Sequence, residues 1–262
     1  MITNIIKFIK NRKGVISIEF AGVFFVFVMI LCVVYDIYNT VTLQDNLERT
    51  NYTVASLFRE RSALYPKIDD TISDRSSTYE QFKSYELFTV DQVKEAQALA
   101  KKLLNKDVSI RIDALFIKQD QNQPLIIYNS NQLKTISFSS CTYSACNNDI
   151  KEYLKNRPNM AETSIGNKDY TKLAPFVKRV FRTKDQAADL QPLYGRYIPL
   201  YRVSMCINND ESLFLKFNNR QNKNNRLLPN LCSETTVISR CNDLSDAREG
   251  CPIYIYRPSY HQ

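Results

Sequence analysis

The chain has no tryptophan, one histidine and only five glycines in 262 residues. The histidine, His261, stands next to the last residue, where it is poorly placed to serve as the base of a nucleophile–base pair. So few glycines leave no glycine-rich loop of the kind that cradles phosphates. Seven cysteines are present, but none in a Cys-x-x-Cys spacing, so the ligand pattern of a structural zinc site is missing. There is no internal repeat and no long low-complexity tract. We therefore expect no catalytic set, no cofactor and no metal.

Charge narrows the reading further. The formal net charge is +8, but residues 1–14 hold four bases (Lys7, Lys10, Arg12 and Lys13) and no acid, so the remainder carries +4. Nucleic acid is thus a weak explanation. A Lys/Arg cluster ahead of the first apolar run is better explained by membrane orientation, because it keeps that end in the cytoplasm. Charged residues make up 24% of the chain and hydrophobic ones 44%, which excludes wholesale disorder and allows one globular domain with a core.

What is present is organised around residues 10–35, KNRKGVISIEFAGVFFVFVMILCVVY. After Gly14 the chain runs apolar for about 20 residues, enough to cross a bilayer as a helix. One charge interrupts it, Glu19, and a carboxylate within a membrane segment marks a functional position by default because an unpartnered one costs a few kcal/mol. Cleavage at the far end of the run is disfavoured, since Val33, Val34, Tyr35 and Asp36 are not the small residues a secretory signal requires. A lipid anchor on Cys32 is disfavoured by Leu31 before it. Gly22 has no small partner four residues on, so a small-xxx-small dimer motif is not supported.

The basic leader, Gly14, four intervening residues, Glu19 and Phe20 resemble the processing site of prepilin-like proteins. Within that group the stretch RKGVISIEFAGVFFVFVMILCVVYD (12–36) resembles the TadE/TadF pseudopilins of tight-adherence (Flp-type) pili, with TadF the nearer match. RSALYP (61–66), the Gln92-Val93 start of a helix and LYRVSMCI (200–207) follow the same order of elements. The large segment after the helix sets the chain apart from the very short major pilins. The resemblance implies cleavage after Gly14 by a prepilin peptidase and a role in pilus biogenesis with other pilin-like subunits. Such a cut keeps the helix and creates an amine at Val15, cationic near neutral pH and one helical turn from Glu19. Glu19 could then pair with its own amine or with a neighbouring subunit's. The alternative reading is an uncleaved, membrane-anchored periplasmic binding or adhesion domain.

Further along, residues 36–64 carry a loose apolar stripe (Ile37, Val41, Leu47, Val54, Leu57, Phe58), and Pro66 is the expected stop. A single helix over 15–64 would be about 75 Å long at 1.5 Å per residue. Thr89 and Gln92 form a Thr-x-x-Gln capping box before an apolar face of Val93, Ala96, Leu99, Ala100, Leu103 and Leu104. Val108–Lys118 and Leu125–Tyr128 read as a β-hairpin, with Thr135–Ser139 as a third strand. A short helix is expected around Leu173–Phe181. Tyr194–Cys206 is β-prone, with Pro199 at a strand start or an edge.

Six cysteines, Cys141, Cys146, Cys206, Cys232, Cys241 and Cys251, fall on the side expected to be exported, and suggest up to three disulfides with the pairing open. The resulting expectation is an α+β protein. It comprises a leader (1–14), a transmembrane helix (15–35), a helical extension (36–65) and an exported, disulfide-containing domain (66–262). It is placed as a single-pass bacterial inner-membrane protein with a cytoplasmic N-terminus and a periplasmic domain.

Overall fold

A computed structural model describes residues 12–65, 68–69, 83–84, 86–117, 119–120, 133–160, 176–178, 195–208, 231–240 and 255–256. Its first element, α1, is a single α-helix, Arg12–Arg59. Glu60 breaks it, one further turn spans Arg61–Leu64, and Tyr65 is extended, as a residue before proline prefers. The helix thus ends before Pro66, as expected, but it is already interrupted six residues earlier, at Glu60, next to the fully buried Arg61 side chain. The broken end is held from the far side of the sequence: Arg240 donates its backbone N–H to Arg59 O and its guanidinium to the Glu60 carboxylate.

The chain divides into two compact units, residues 1–45 with 209–229, and residues 46–208 with 230–262. In the second, a four-stranded antiparallel sheet has the order β2-β1-β3-β4, formed by β1 (Val108–Ile117), β2 (Leu133–Cys141), β3 (Leu200–Ile207) and β4 (Leu231–Ile238). Two helices complete it, α2 (Val90–Leu104) and α3 (Asn148–Lys155).

Register explains which face is which. Ile112 lies opposite both Phe138 and Val203, and Val203 opposite Thr235, so alternate residues of all four strands share a face. That face receives α2 and residues 47–58 of α1. The α1 stripe that is buried is Leu47, Thr50, Asn51, Val54, Ala55 and Phe58, a helical repeat of three and four. Ile37 and Val41, expected in the stripe, are exposed. Asn51 enters it because its side-chain amide donates to Val203 O, Ser233 Oγ and Thr235 Oγ1, each at 3.2 Å, which satisfies a polar group inside the core. Phe58, Phe88 and Tyr201 meet edge-on at 5.5–6.2 Å between centroids, and Phe138 and Phe116 extend the cluster.

The capping box of α2 forms: Thr89 Oγ1 accepts from Gln92 N, and Gln92 Oε1 accepts from Thr89 N. Asn105 closes the helix in the left-handed region at φ 52°. Val93, Ala96 and Ala100 face the core, whereas Leu103 is exposed.

Two strand assignments change. The partner of β1 is Leu133–Cys141, paired from Ser109↔Cys141 to Ile117↔Leu133. The segment expected to pair with it, Leu125–Tyr128, lies outside the described residues. The β2 register puts Ile136 and Phe138 on the core face and the serines 137 and 139 on the other, which a strict alternation of polar and apolar residues rewards. Within the helix expected at Leu173–Phe181, Phe176–Lys178 is instead extended and pairs antiparallel with Gly195–Tyr197. Pairing with that β-prone stretch supplies backbone partners that three residues of helix would lack. Pro199 precedes the first residue of β3, where a missing N–H costs no ladder bond.

The second face of the sheet is polar and covered by α3. Asp113 accepts from Arg202 through both Nε (3.1 Å) and Nη2 (2.7 Å), from Arg111 Nε (2.8 Å) and from Ser137 Oγ. The two arginines then donate to carbonyls that cover this face: Arg111 to Leu154 O and Lys155 O, Arg202 to Pro158 O. The end of α3 is therefore capped by a strand side chain.

Candidate membrane-association site

Arg12, Lys13, Gly14 and Val15 are helical residues of α1, while Lys7 and Lys10 lie outside the described residues. Glu19 is exposed, as is Phe20 at 71%, whose ring stacks on Phe24 at 6.2 Å. Val15 and Glu19 are four residues, about one helical turn, apart along α1. The helix beyond Glu19 is long and apolar enough to cross a membrane, and no residue of its most apolar window is buried. Phe24, Phe25, Val26 and Phe27 are each more than half exposed. An uninterrupted apolar surface of this length is unstable in water and stable in a bilayer. At Gly22 an added Cβ would meet nothing within 4 Å, so no contact among the described residues requires glycine there.

Of the cysteines, Cys141 is bonded to Cys146 and Cys206 to Cys232. The first bridge closes the end of β2 onto a short turn at Tyr143–Cys146. The second links residues directly opposite on β3 and β4, with Cα atoms 4.2 Å apart, and Ile150 and Leu154 of α3 pack on it. Cys241 and Cys251 lie outside the described residues. Cys32, on the apolar helix, is free and exposed.

Sequence reasoning missed the domain's buried charges. Arg61 is fully buried under three rings, 5.0 Å from the Tyr65 centroid, 5.5 Å from Phe58 and 5.7 Å from Phe88. Its Nη2 donates to Leu87 O and to Gln92 Oε1. Glu86 accepts from Tyr201 Oη (2.5 Å) and Ser239 Oγ (2.7 Å). Burial pushes the Glu86 carboxyl above the usual carboxylate range, against the opposing pull of those two hydroxyls and of Arg61. Burial likewise lowers Arg61 from its ordinary value, and raises the Tyr65 hydroxyl. One signal could have found the cluster: RSALYP, Gln92-Val93 and LYRVSMCI, separate in sequence, supply Arg61, Gln92 and Tyr201 to it.

The family model described as "Putative tight adherence pilin protein F" (TadF) matches residues 7–240, nearly the whole chain. The chain belongs to the TadF family. No curated protein matches it, and no solved structure does. Membership makes this a pilin-like protein associated with the tight-adherence pilus, from a structural rather than an enzymatic family. A TadF-family chain with one N-terminal apolar helix fits a single-pass membrane anchor, and a pilin family implies contact with pilus subunits and membrane assembly machinery.

Proposed function

We propose that this TadF-family chain is a minor pseudopilin, inserted once in the bacterial inner membrane and processed by a prepilin peptidase between Gly14 and Val15. The cytoplasmic leader carries Lys7, Lys10, Arg12 and Lys13, the helix from Val15 to Tyr35 spans the membrane, residues 36–65 extend it, and residues 66–262 are the periplasmic domain. The observation that carries this reading is the apolar helix, wholly unburied over its most apolar window, preceded by Gly14 and bearing Glu19 one turn from Val15. Removal of the leader leaves a positive amine next to the only acid of the span, and pairing between subunits offsets the carboxylate's desolvation while setting helix register.

The test is the N-terminal sequence and intact mass of the membrane-extracted protein from a host with active prepilin peptidase. A chain starting at Val15 is expected. Gly14→Ala should retain Met1, and Glu19→Ala should yield stable protein that fails to support piliation. Wild-type chain that keeps Met1 would move the assignment to an uncleaved, membrane-anchored binding or adhesion domain.

A further inference from the structure

Exposure along α1 changes character between Val41 and Asp45. From Asp45 onward the helix follows the pattern expected in water: Leu47, Val54 and Phe58 are buried, while Asp45, Glu48 and Arg49 are exposed. In the three turns before it the pattern is inverted. Val34, Ile37, Tyr38 and Val41, at the i, i+3, i+4 and i+7 positions of one helix face, are each more than half exposed, and so is Tyr35. The polar residues of the same turns, Asp36, Asn39, Thr40 and Gln44, are partly buried. A helix that shows its apolar side chains and shelters its polar ones is suited to surroundings other than water.

What covers the stripe follows from where it lies. It runs without a break from Val34, inside the membrane span proposed above, to Val41, beyond the end of that span at Tyr35. A headgroup layer is roughly 5–7 Å deep on each side of the hydrocarbon core. At about 1.5 Å per residue, Tyr38 lies about 4.5 Å past Tyr35, within that layer, and Val41 about 9 Å past it, at the outer margin. Tyrosine is enriched at that depth, with its ring among the upper acyl chains and its hydroxyl on the headgroups. A packed partner helix would favour small residues at the contact, and the stripe has none. We infer that residues 35–41 lie in the lipid headgroup layer on the exported side, with Tyr35 and Tyr38 fixing the depth of the helix and lipid as the occupant of the stripe. This rests on the single-pass membrane reading above, but not on processing at Gly14.

The chain has no tryptophan, so Tyr38→Trp, Phe27→Trp and Tyr52→Trp each introduce a single reporter. All three positions are exposed, and each variant should keep the wild-type unfolding midpoint. The full chain is reconstituted at low protein-to-lipid ratio in phosphatidylcholine vesicles whose acyl chains carry bromine either near the headgroup or near the chain end. Tyr38→Trp should be quenched more by the shallow bromine and emit at shorter wavelength than Tyr52→Trp, which only aqueous acrylamide should quench. Phe27→Trp should be quenched by the deep bromine. The inference is overturned if acrylamide quenches Tyr38→Trp as strongly as Tyr52→Trp and neither lipid does. It is overturned equally if Tyr38→Trp is shielded from acrylamide and lipid alike, as in a contact between two copies of the helix. Loss of lipid quenching at Phe27→Trp as well would overturn the membrane span itself, and the inference with it.

Discussion

Arg61 Nη2 donates to Gln92 Oε1 at 2.8 Å, and the same oxygen accepts the Thr89 backbone N–H at 3.2 Å. The glutamine of the capping box therefore does two jobs: it starts α2, and it partners a cation buried among Phe58, Tyr65 and Phe88. Phe58, Tyr65 and the short turn at Arg61–Leu64 belong to the segment that ends α1, and Phe88 and Gln92 to the start of α2, so one side chain ties two helices together.

The first prediction separates these roles. Thr89→Ala removes one capping bond and should cost about 1 kcal/mol. Gln92→Ala removes the reciprocal bond and also strips an acceptor from a buried guanidinium, so it should cost more, about 2–3 kcal/mol. Urea unfolding of both variants in the same detergent checks the order. Equal losses would show that Arg61 gains nothing from Gln92.

Glu86 makes stability depend on pH with a definite sign. Its carboxyl is raised by burial, so the folded chain holds that proton more tightly than the unfolded chain. The stabilisation it contributes is fully present below the ordinary carboxylate value and is lost as pH rises through the raised one. Glu86→Gln removes this dependence. The stability of wild type relative to Glu86→Gln should fall as pH is taken upward from that ordinary value, measured by denaturant unfolding at a series of pH values. A difference that stays flat, or rises, would contradict the burial argument.

The two disulfides should differ in worth. They span 26 and 5 residues of sequence, and in the chain-entropy treatment the longer loop restricts the unfolded state more, by about 1–1.5 kcal/mol. The variant C206A/C232A should be the less stable of the two pairwise deletions, with an added loss because Cys206 is buried against α3. Unfolding of C206A/C232A and C141A/C146A under identical conditions decides it.

Gly22 offers a way to find intermolecular contact. Among the described residues no atom lies within 4 Å of where its Cβ would go, and alanine is the better helix former by about 1 kcal/mol. Gly22→Ala should therefore leave the domain's unfolding midpoint unchanged and the helix no less helical by circular dichroism. A drop in domain stability would mean that the glycine is contacted within the chain.

The parts that were legible in advance are those set by neighbours in sequence. Hydropathy over about 20 consecutive residues specifies a membrane-capable helix wherever the rest of the chain goes, and the Thr89–Gln92 box closes within one turn. The bias of six cysteines to the second half signalled disulfides in the same way. The partner of β1 was not legible because apolar Leu125–Tyr128 and the shorter Thr135–Ser139 both read as strands, and choosing between them needs the opposing face. The stripe on α1 was placed too early for a similar reason: Ile37 and Val41 look like core until burial shows that packing begins at Leu47.

By itself, then, the amino-acid sequence determined an α+β chain with an apolar N-terminal helix and a cysteine-bearing remainder, since each depends on local composition or spacing. Tertiary structure alone decided that Cys206 meets Cys232, that Asn51 is a core residue, and that Arg61, Glu86, Asp113 and Arg202 lie inside. A charged side chain enters a core only where distant residues supply its partners, and those partners, 26 to 153 residues away in the bonds of Arg61, Asp113 and Glu86 to Leu87, Arg202 and Ser239, are brought there by strand register and helix packing.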